Sequence, residues 1–410
     1  MVDELSTIDL ADPGLHADGD PHAVWRVLRE RSPVHWQPVS RPGLPADLGF
    51  WAVTRYPDVA RVLAEHDSFS SEQGTLLNLL GRGDPASGQQ LAATDPPRHD
   101  RMRAPLYRAM NARPVEAHAG RIRAGVTELL APGAGGEPFD LAAALTGLPL
   151  VAIGPLLGLP AGDWPELSRL AMMCTAEDDP DYQLPAGSAS TLDQAHRALF
   201  GYFSEVVRQR TRSPGDDLVS LLLGMRTDGE RARPGAVVAN CYSLLLGASV
   251  TLPHVPAAAL VELAGTDRYA DWADRPDLLD PGVEEALRWA SPASHFMRVA
   301  RRPVSLHGRS IPAGAAVVAW LGAANRDPAV FADPDAFDIR RRPNRHLAFG
   351  SGRHYCIGSH LARLTLRLLF AELFRMFRSV AVVGEPVRVR STFLAGIKRL
   401  PVVGQPRRER

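Results

Sequence analysis

The loop of residues 349–358 carries the strongest chemical signal in the sequence. It reads Phe-Gly-Ser-Gly-Arg-His-Tyr-Cys-Ile-Gly and precedes a segment with helical apolar spacing. Glycines permit backbone turns that other residues avoid and let the chain approach a flat ligand closely. Backbone N–H groups of such a loop and the N-terminus of the next helix stabilise the negative charge of a thiolate. We therefore interpret Cys356 as a thiolate ligand.

The other two cysteines, Cys174 and Cys241, are distant from Cys356 and from each other in the sequence. Free cysteine is among the most buried residue types, so we interpret both as structural. An odd, sparse set without close spacing argues against a disulfide framework or a zinc finger. It fits a reducing cytosol, and we expect a cytoplasmic protein.

The loop resembles the haem-binding signature of the cytochrome P450 family, Phe-Gly-x-Gly-x-His-x-Cys-x-Gly. Every fixed position matches, including Phe349, Gly350 and Gly358, and His354 is typical of the soluble bacterial, actinobacterial-type branch. The resemblance implies haem b with its iron bound by Cys356. It also implies a mainly α fold with minor β structure, in which 1–410 form a single domain. This fold is a triangular helical prism with haem between a long central helix and the cysteine-ligand helix.

Four side chains resemble the family's partners of the haem propionates. His99 and Arg103 are four residues apart, which puts both on one helix face and suits two carboxylates. Arg298 and His354 complete the set. Taken alone, each is better explained as a solvated surface charge, but together with the cysteine loop we predict propionate contacts.

Glu285 and Arg288 resemble the Glu-x-x-Arg pair of the family, with Arg341 in a Pro-rich stretch as the third member. In isolation such a pair is an ordinary i,i+3 helix contact. Its position upstream of the cysteine loop favours a structural network of all three side chains.

The central helix contains the clearest departure from the family pattern. Residues 247–251, Gly-Ala-Ser-Val-Thr, correspond to the family's Ala-Gly-x-Asp/Glu-Thr sequence. The small residues, here Gly247 and Ala248, leave room for oxygen. The resemblance makes Thr251 the residue that helps to deliver protons to bound oxygen. Val250 replaces the family's acid, and a valine side chain cannot relay a proton.

Three groups are candidates to replace that acid. Pro253 and Pro256 have no N–H to donate to the carbonyls four residues earlier, so we expect a kinked helix whose free carbonyls hold water beside Thr251. His254 lies one turn beyond Thr251 and could titrate near neutral pH and relay protons, with packing or substrate contact as the alternative. The third candidate is the substrate's own polar group, which would suit an atypical oxidation such as coupling or ring closure.

The substrate pocket is predicted from the resemblance and from apolar character. We expect a small organic substrate, by default a natural-product biosynthetic one, oxidised with O2 by hydroxylation or an atypical oxidation. The expected lining residues, besides Gly247, come from the loop 70–93, the central helix and two later segments: Leu79, Leu244, Ala293, His295, Phe296, Phe393 and Leu394.

The electrons for this reaction must come from another protein, because the sequence has no flavin or iron–sulfur motif. The resemblance implies a ferredoxin and its reductase. Arg353, Arg363 and Arg367 form a candidate docking face, with ordinary solvated arginines as an equal alternative. Two other functions stay open. The missing acid allows a peroxide-driven haem oxidase, and a non-catalytic haem-binding sensor or recruitment protein would not need Thr251.

The elements that position these residues are mostly helical. We predict helices over 20–31, 58–65, 237–264, 281–289 and 360–377 and across most of 95–225. We predict strands over 50–54 and within 298–318, a hairpin over 387–403, and irregular structure over 328–352.

Charge and composition exclude several other classes. Acidic and basic residues balance at 46 each, so no global field attracts nucleic acid or anionic membrane. Lys398 is the single lysine, which argues against Schiff-base chemistry. We see no signal-peptide pattern and no run of the roughly 20 apolar residues that a membrane span needs. We expect a monomer without membrane or nucleic-acid partners.

Overall fold

The computed structural model describes residues 4–40, 45, 47–227 and 229–407. The α-helices carry most of the ordered structure. They are α1 (Gly14–Ala17), α2 (Pro21–Arg31), α3 (Tyr56–Ala64), α4 (Arg98–Met110), α5 (Ala112–Glu116), α6 (Ala119–Leu130), α7 (Leu141–Ala144), α8 (Leu148–Ile153), α9 (Trp164–Met173), α10 (Ser188–Arg212), α11 (Leu218–Gly224), α12 (Pro234–Ser249), α13 (His254–Leu263), α14 (Asp267–Ala273), α15 (Leu279–Ala290), α16 (Leu321–Ala324) and α17 (Ser359–Met376).

The strands are short. They are β1 (Val34–Pro38), β2 (Gly49–Val53), β3 (Phe69–Ser70), β4 (Phe139–Asp140), β5 (Arg226–Thr227), β6 (Glu230–Arg231), β7 (His295–Ala300), β8 (Val304–Leu306), β9 (Arg309–Ile311), β10 (Ala316–Trp320), β11 (Phe377–Val382), β12 (Val387–Arg388), β13 (Ile397–Arg399) and β14 (Pro401–Pro406). The largest sheet has the order β1-β2-β10-β7-β3. The predicted mainly α architecture with a minor β component is confirmed.

The main apolar core lies between the long helices. Helix α12 packs against α10 and α8, and α17 packs against α6 and α15. Leucines at 361, 364 and 368 give α17 an apolar stripe at helical spacing, and all three are buried. This packing fixes α17, which follows the cysteine loop, and α12, which carries most of the predicted oxygen-binding segment.

The predicted helix over 237–264 is interrupted at its prolines, in agreement with the expected kink, and the chain divides there into α12 and α13. The last backbone bond of α12 runs from the Val250 N–H to the Leu246 carbonyl at 3.2 Å, and α13 begins only at His254. Pro253 has no N–H to continue the ladder. The expectation of a free Leu252 carbonyl is wrong, because the Val255 N–H donates to it at 3.4 Å.

The stretch 234–263 is also long and apolar enough to span a bilayer by length and hydropathy, contrary to the sequence prediction. In its most apolar window 61% of the residues are buried inside the protein. Core helices of soluble proteins pass the same test, so this finding is weak evidence for a membrane span.

The C-terminal segment differs in part from the predicted hairpin over 387–403. Strands β12 and β13 do pair antiparallel. Val402 and Val403 instead belong to β14, which pairs with β11 and β4 in a separate three-stranded sheet. Local alternation in the sequence does not choose between two sheets, because partner choice depends on distant residues.

The three members of the predicted structural network meet in the interior. Arg288 donates to the Glu285 carboxylate through Nε at 2.8 Å and through Nη2 at 2.7 Å. Arg341 Nε lies 3.1 Å from the same carboxylate. The remaining Arg288 and Arg341 donors bind backbone carbonyls of 325–336. The network therefore ties α15 to the irregular stretch that leads to the cysteine loop.

Candidate active site

The cysteine loop is a set of tight turns. The Cys356 N–H donates to the Phe349 carbonyl at 2.9 Å, and the Gly350 N–H donates to the Leu347 carbonyl at 2.8 Å. Gly352 has φ +71°, and a Cβ there would lie 2.5 Å from the Ala64 Cα of α3. Only glycine satisfies both conditions, which explains why the loop needs this residue.

The Cys356 side chain is partly buried and lines a large cavity. Burial raises the pKa of its thiol, while a hydrogen bond from the Gly358 backbone N–H and the charges of Arg103 and Arg363 lower it. These are the donors and positive charges that stabilise a thiolate. The local geometry thus agrees with the interpretation of Cys356 as a ligand.

The cavity has a volume of about 670 Å³ and extends from Cys356 to α12 and α10. The four predicted propionate partners, His99, Arg103, Arg298 and His354, all line it near Cys356. The rings of His99 and His354 are 4.3 Å apart, although these residues are distant in sequence. The structure therefore brings this predicted set together.

These side chains fit a ligand with two carboxylates. Arg298 is buried, and its one hydrogen bond among the described residues is to the neighbouring Met297 carbonyl. Arg103 donates to the Tyr355 carbonyl. Nε2 of His99 is buried without a hydrogen-bond partner. Neither arginine pairs with a carboxylate in the described part of the chain, and a buried cation normally requires one. Haem propionates would supply it.

The opposite wall of the cavity contains the predicted oxygen-side residues Gly247, Ala248, Val250 and Thr251. The Thr251 hydroxyl donates to the Gly247 carbonyl at 3.0 Å. Gly247 carries no side chain and is exposed to the cavity, which leaves space beside that hydroxyl.

Val250 lies in an apolar environment. It is buried and packs in a cluster that includes Met172, Val389 and Leu394. An ionised carboxylate at this position would have no cationic partner within the cluster and would be costly. The residues around Val250 therefore favour an apolar side chain at this position over the acid of the family pattern.

The structure does not support the proton-relay alternative for His254. Its ring is buried outside the cavity lining, and Nδ1 lies 3.2 Å from the Ile397 carbonyl. Burial lowers its pKa to about 4. A Cβ on Gly396 would lie 2.8 Å from Nε2, so the ring is closely packed against the C-terminal segment. This geometry favours the packing alternative over a proton relay.

Two further pocket predictions are wrong. His295 is fully buried behind the wall, where Nε2 accepts from the Leu77 N–H at 3.3 Å and burial lowers its pKa to about 3. Leu394 is fully buried in the apolar cluster around Val250. Strand alternation in β7 turns His295 away from the cavity and its neighbour Phe296 toward it. Phe393, the neighbour of Leu394, also lines the cavity. Leu79, Leu244 and Ala293 also line the cavity as predicted.

The three arginines of the candidate docking face are paired with acids. Arg363 binds Glu284 through Nε and Nη2 at 2.7 and 2.8 Å and lies over the Phe349 ring. Arg353 donates to Asp100 at 2.7 Å, and Arg367 lies 3.5 Å from Glu116. Arg363 therefore has a structural role beside the loop.

Sequence reasoning missed the far end of the cavity. Asp84, His196, Phe200 and Tyr242 line it there, on three elements that are remote in sequence. The i,i+4 spacing of His196 and Phe200 on α10 was a usable signal, because it places both on one face. The position of Asp84 opposite them depends on tertiary structure.

Comparisons with known proteins agree with this geometry. The family model for cytochrome P450 matches residues 260–399. The chain is 35% identical over 402 residues to cytochrome P450 NovI of Streptomyces niveus, which covers 97% of both chains. It is 32% identical to linalool 8-monooxygenase of Pseudomonas putida, covering 97% of this chain and 99% of that one.

A solved structure shows the same fold over nearly the whole chain. The P450 OxyD, described as involved in the biosynthesis of vancomycin-type antibiotics, has a TM-score of 0.86 at 33% identity. The match covers 98% of this chain and 100% of OxyD. The expected P450 fold is thereby confirmed, and with it an oxidoreductase that uses haem. The chain belongs to the cytochrome P450 family.

Proposed function

We propose that this P450 binds haem b through Cys356 and oxidises a small natural-product-type molecule with O2, by hydroxylation or by an atypical oxidation. One observation carries the proposal: a single cavity joins the Cys356 sulfur to the Thr251 hydroxyl. A haem ligand and an oxygen-side hydroxyl on facing walls suit a reaction between them. A haem sensor would not require that hydroxyl.

Different residues of the chain would bind the iron and the propionates of the haem. Cys356 would bind the iron, and His99, Arg103, Arg298 and His354 would bind the propionates. When bound, the haem supplies the electron-transfer and oxygen-activating chemistry, which a thiolate ligand promotes. The buried position of Arg298 strengthens its interaction with a carboxylate, because little water competes there.

On the opposite wall, Thr251 Oγ1 would hold a proton beside the oxygen-binding space. Its donation to the Gly247 carbonyl orients the hydroxyl oxygen as an acceptor for a further donor. Val250 and the buried His254 are not suited to supply that donor. Water beside Thr251 or a polar group of the substrate remains as the source of that donor.

The cavity walls support a medium-sized, largely apolar substrate. Leu79, Leu244, Ala293, Phe296 and Phe393 would position its carbon skeleton by excluding water. Two relatives point in the same direction, since one is a linalool 8-monooxygenase and the other, OxyD, is involved in the biosynthesis of vancomycin-type antibiotics.

We further propose a ferredoxin-type electron donor, a cytoplasmic location, a single domain and a monomeric state. The support for the donor is the lack of flavin or iron–sulfur motifs in the sequence. Peroxide-driven turnover is the competing source of oxidising equivalents, because Val250 replaces the usual acid.

The test combines spectroscopy with turnover. Carbon monoxide is added to the reduced holoprotein, and a thiolate-type difference band is expected. The Cys356→Ser variant should lose that band, and a wild-type protein without it would overturn the proposal. Turnover of a substrate found by spectral screening is then compared with ferredoxin and reductase and with peroxide alone. Faster oxidation with peroxide alone would replace the monooxygenase assignment.

A further inference from the structure

The far end of the cavity has a single acidic group. Asp84 is the one carboxylate that lines the cavity in the described part of the chain. It is half-buried, and the cationic lining residues cluster instead around Cys356. No arginine or lysine forms an ion pair with Asp84 among the described residues. Desolvation penalises the charged form of a half-buried carboxylate that has no permanent cationic partner.

The turn that carries Asp84 is held firmly. The Asp84 Oδ1 accepts from the Ala86 N–H at 2.8 Å, and its carbonyl accepts from the Ser87 N–H at 3.0 Å. Asn240 on α12 accepts from the Leu91 N–H and donates to the Gln89 carbonyl, both at 2.9 Å. Oδ2 of Asp84 has no donor among the described residues, so one carboxylate oxygen stays available at a fixed position.

Three aromatic rings lie at the same end. Phe200 and Tyr242 have ring centroids 5.0 Å apart, inclined at 34°. His196 meets the Tyr242 ring edge-on at 5.7 Å. Burial lowers the pKa of His196, so its ring is mostly neutral near pH 7 and does not compensate Asp84 permanently. Ring faces beside an anion form a favourable environment for an organic cation.

From this arrangement we infer that Asp84, with the rings of His196, Phe200 and Tyr242, binds a cationic nitrogen of the substrate. The inference rests on the proposed function, because it assigns the orientation of that substrate. The ammonium end would lie at the α10 side of the cavity, and the end to be oxidised would face Cys356.

The geometry also sets the length of the substrate. Tyr242 and Ala248 are six residues apart on α12, which corresponds to about 9 Å along the helix axis at about 1.5 Å per residue. The oxidised carbon should therefore lie about six or seven bonds from the nitrogen. Amines with a much shorter skeleton would not reach both ends.

The test uses two ligands of equal shape. One is the hydroxyhexyl-trimethylammonium ion, whose quaternary nitrogen cannot bind iron. The other is the neutral alcohol in which carbon replaces that nitrogen. Binding of both to the holoprotein is measured by calorimetry, which does not depend on turnover. We expect the cation to bind at least about tenfold more tightly than the neutral ligand.

Two variants locate the effect. Asp84→Asn keeps the acceptor for the Ala86 N–H but removes the charge, and it should bring the two affinities within about threefold. Asp193→Asn is the matched control, because Asp193 is an exposed acid on α10 near His196 but outside the cavity lining. It should keep the preference. Equal affinities in the wild type, or a preference that survives in Asp84→Asn, would overturn the inference.

The carbon monoxide spectrum is recorded on the same samples. A normal thiolate-type band without any preference for the cation defeats this inference alone. A preference for the cation in a protein that lacks the band defeats the proposed function and leaves the ammonium site standing.

Discussion

The Arg103 guanidinium donates to the backbone carbonyl of Tyr355 at 2.5 Å, directly before Cys356. One side chain on α4 therefore contacts the cysteine loop and lines the cavity where a propionate is expected. Loss of this group should affect both the loop and the retention of haem.

Arg103→Leu is expected to weaken haem retention by about 10- to 100-fold, because hydrogen bonds to charged groups contribute about 1.5–3 kcal/mol. Transfer of haem to excess apomyoglobin measures the release rate. Arg275→Gln removes an exposed arginine that pairs with Asp277 and should behave as wild type. An unchanged release rate for Arg103→Leu would remove this residue from the haem site.

Glu285→Ala is expected to destabilise the fold by about 3–5 kcal/mol, since it leaves two buried guanidinium groups without their carboxylate. The midpoint of urea denaturation measures this loss. The control is Asp271→Ala, which removes the partner of the half-exposed Arg340 and should cost at most about 1 kcal/mol. Similar losses in both variants would contradict a special role for the buried network.

Thr251→Ala is expected to divert electrons from product to peroxide by about tenfold or more, because it removes the hydroxyl that would hold the proton. Product and peroxide are counted per electron consumed. Thr251→Ser keeps a hydroxyl able to donate to the Gly247 carbonyl and should retain most of the coupling. Equal coupling in the alanine and serine variants would place proton delivery elsewhere.

Val250→Asp restores the acid of the family pattern, but we expect no gain in coupling. The new carboxylate would lie among Met172, Val389 and Leu394 without a cation, at a cost of about 1–3 kcal/mol. Urea denaturation and peroxide release measure the two effects. Val250→Ile serves as the apolar control. Improved coupling without loss of stability would show that the cluster accepts a charge.

Stability should fall as the pH falls from about 6.5 toward 4. In the unfolded chain His254 binds a proton near pH 6.5, whereas burial lowers its pKa to about 4 in the folded protein. Between these values the unfolded state holds more protons, so stability rises with pH. His254 alone should contribute on the order of 1–2 kcal/mol between pH 7 and 5.

Urea denaturation at both pH values checks this expectation. His254→Phe should reduce the pH dependence by that amount, while the exposed His307→Gln should leave it unchanged. An equal pH dependence in His254→Phe and wild type would show that His254 does not contribute to the loss of stability at low pH.

The sequence by itself determined the side of the site that contains Cys356. Cys356 and its glycines are contiguous, and their spacing predicts a turn, a helix start and a thiolate without reference to any distant residue. The helices with clear apolar spacing, such as α2 and α17, were predictable for the same reason. Their hydrophobic periodicity is a local property.

Tertiary structure decided which residues line the far end of the cavity and which side chains form its walls. His295 and Phe296 are adjacent in sequence, yet one is buried behind the wall and the other faces the cavity. The burial of His254 and the meeting of Asp84 with Tyr242 likewise depend on packing between segments far apart in the chain. Burial and long-range contacts set side-chain direction and pKa, and neither can be derived from local periodicity.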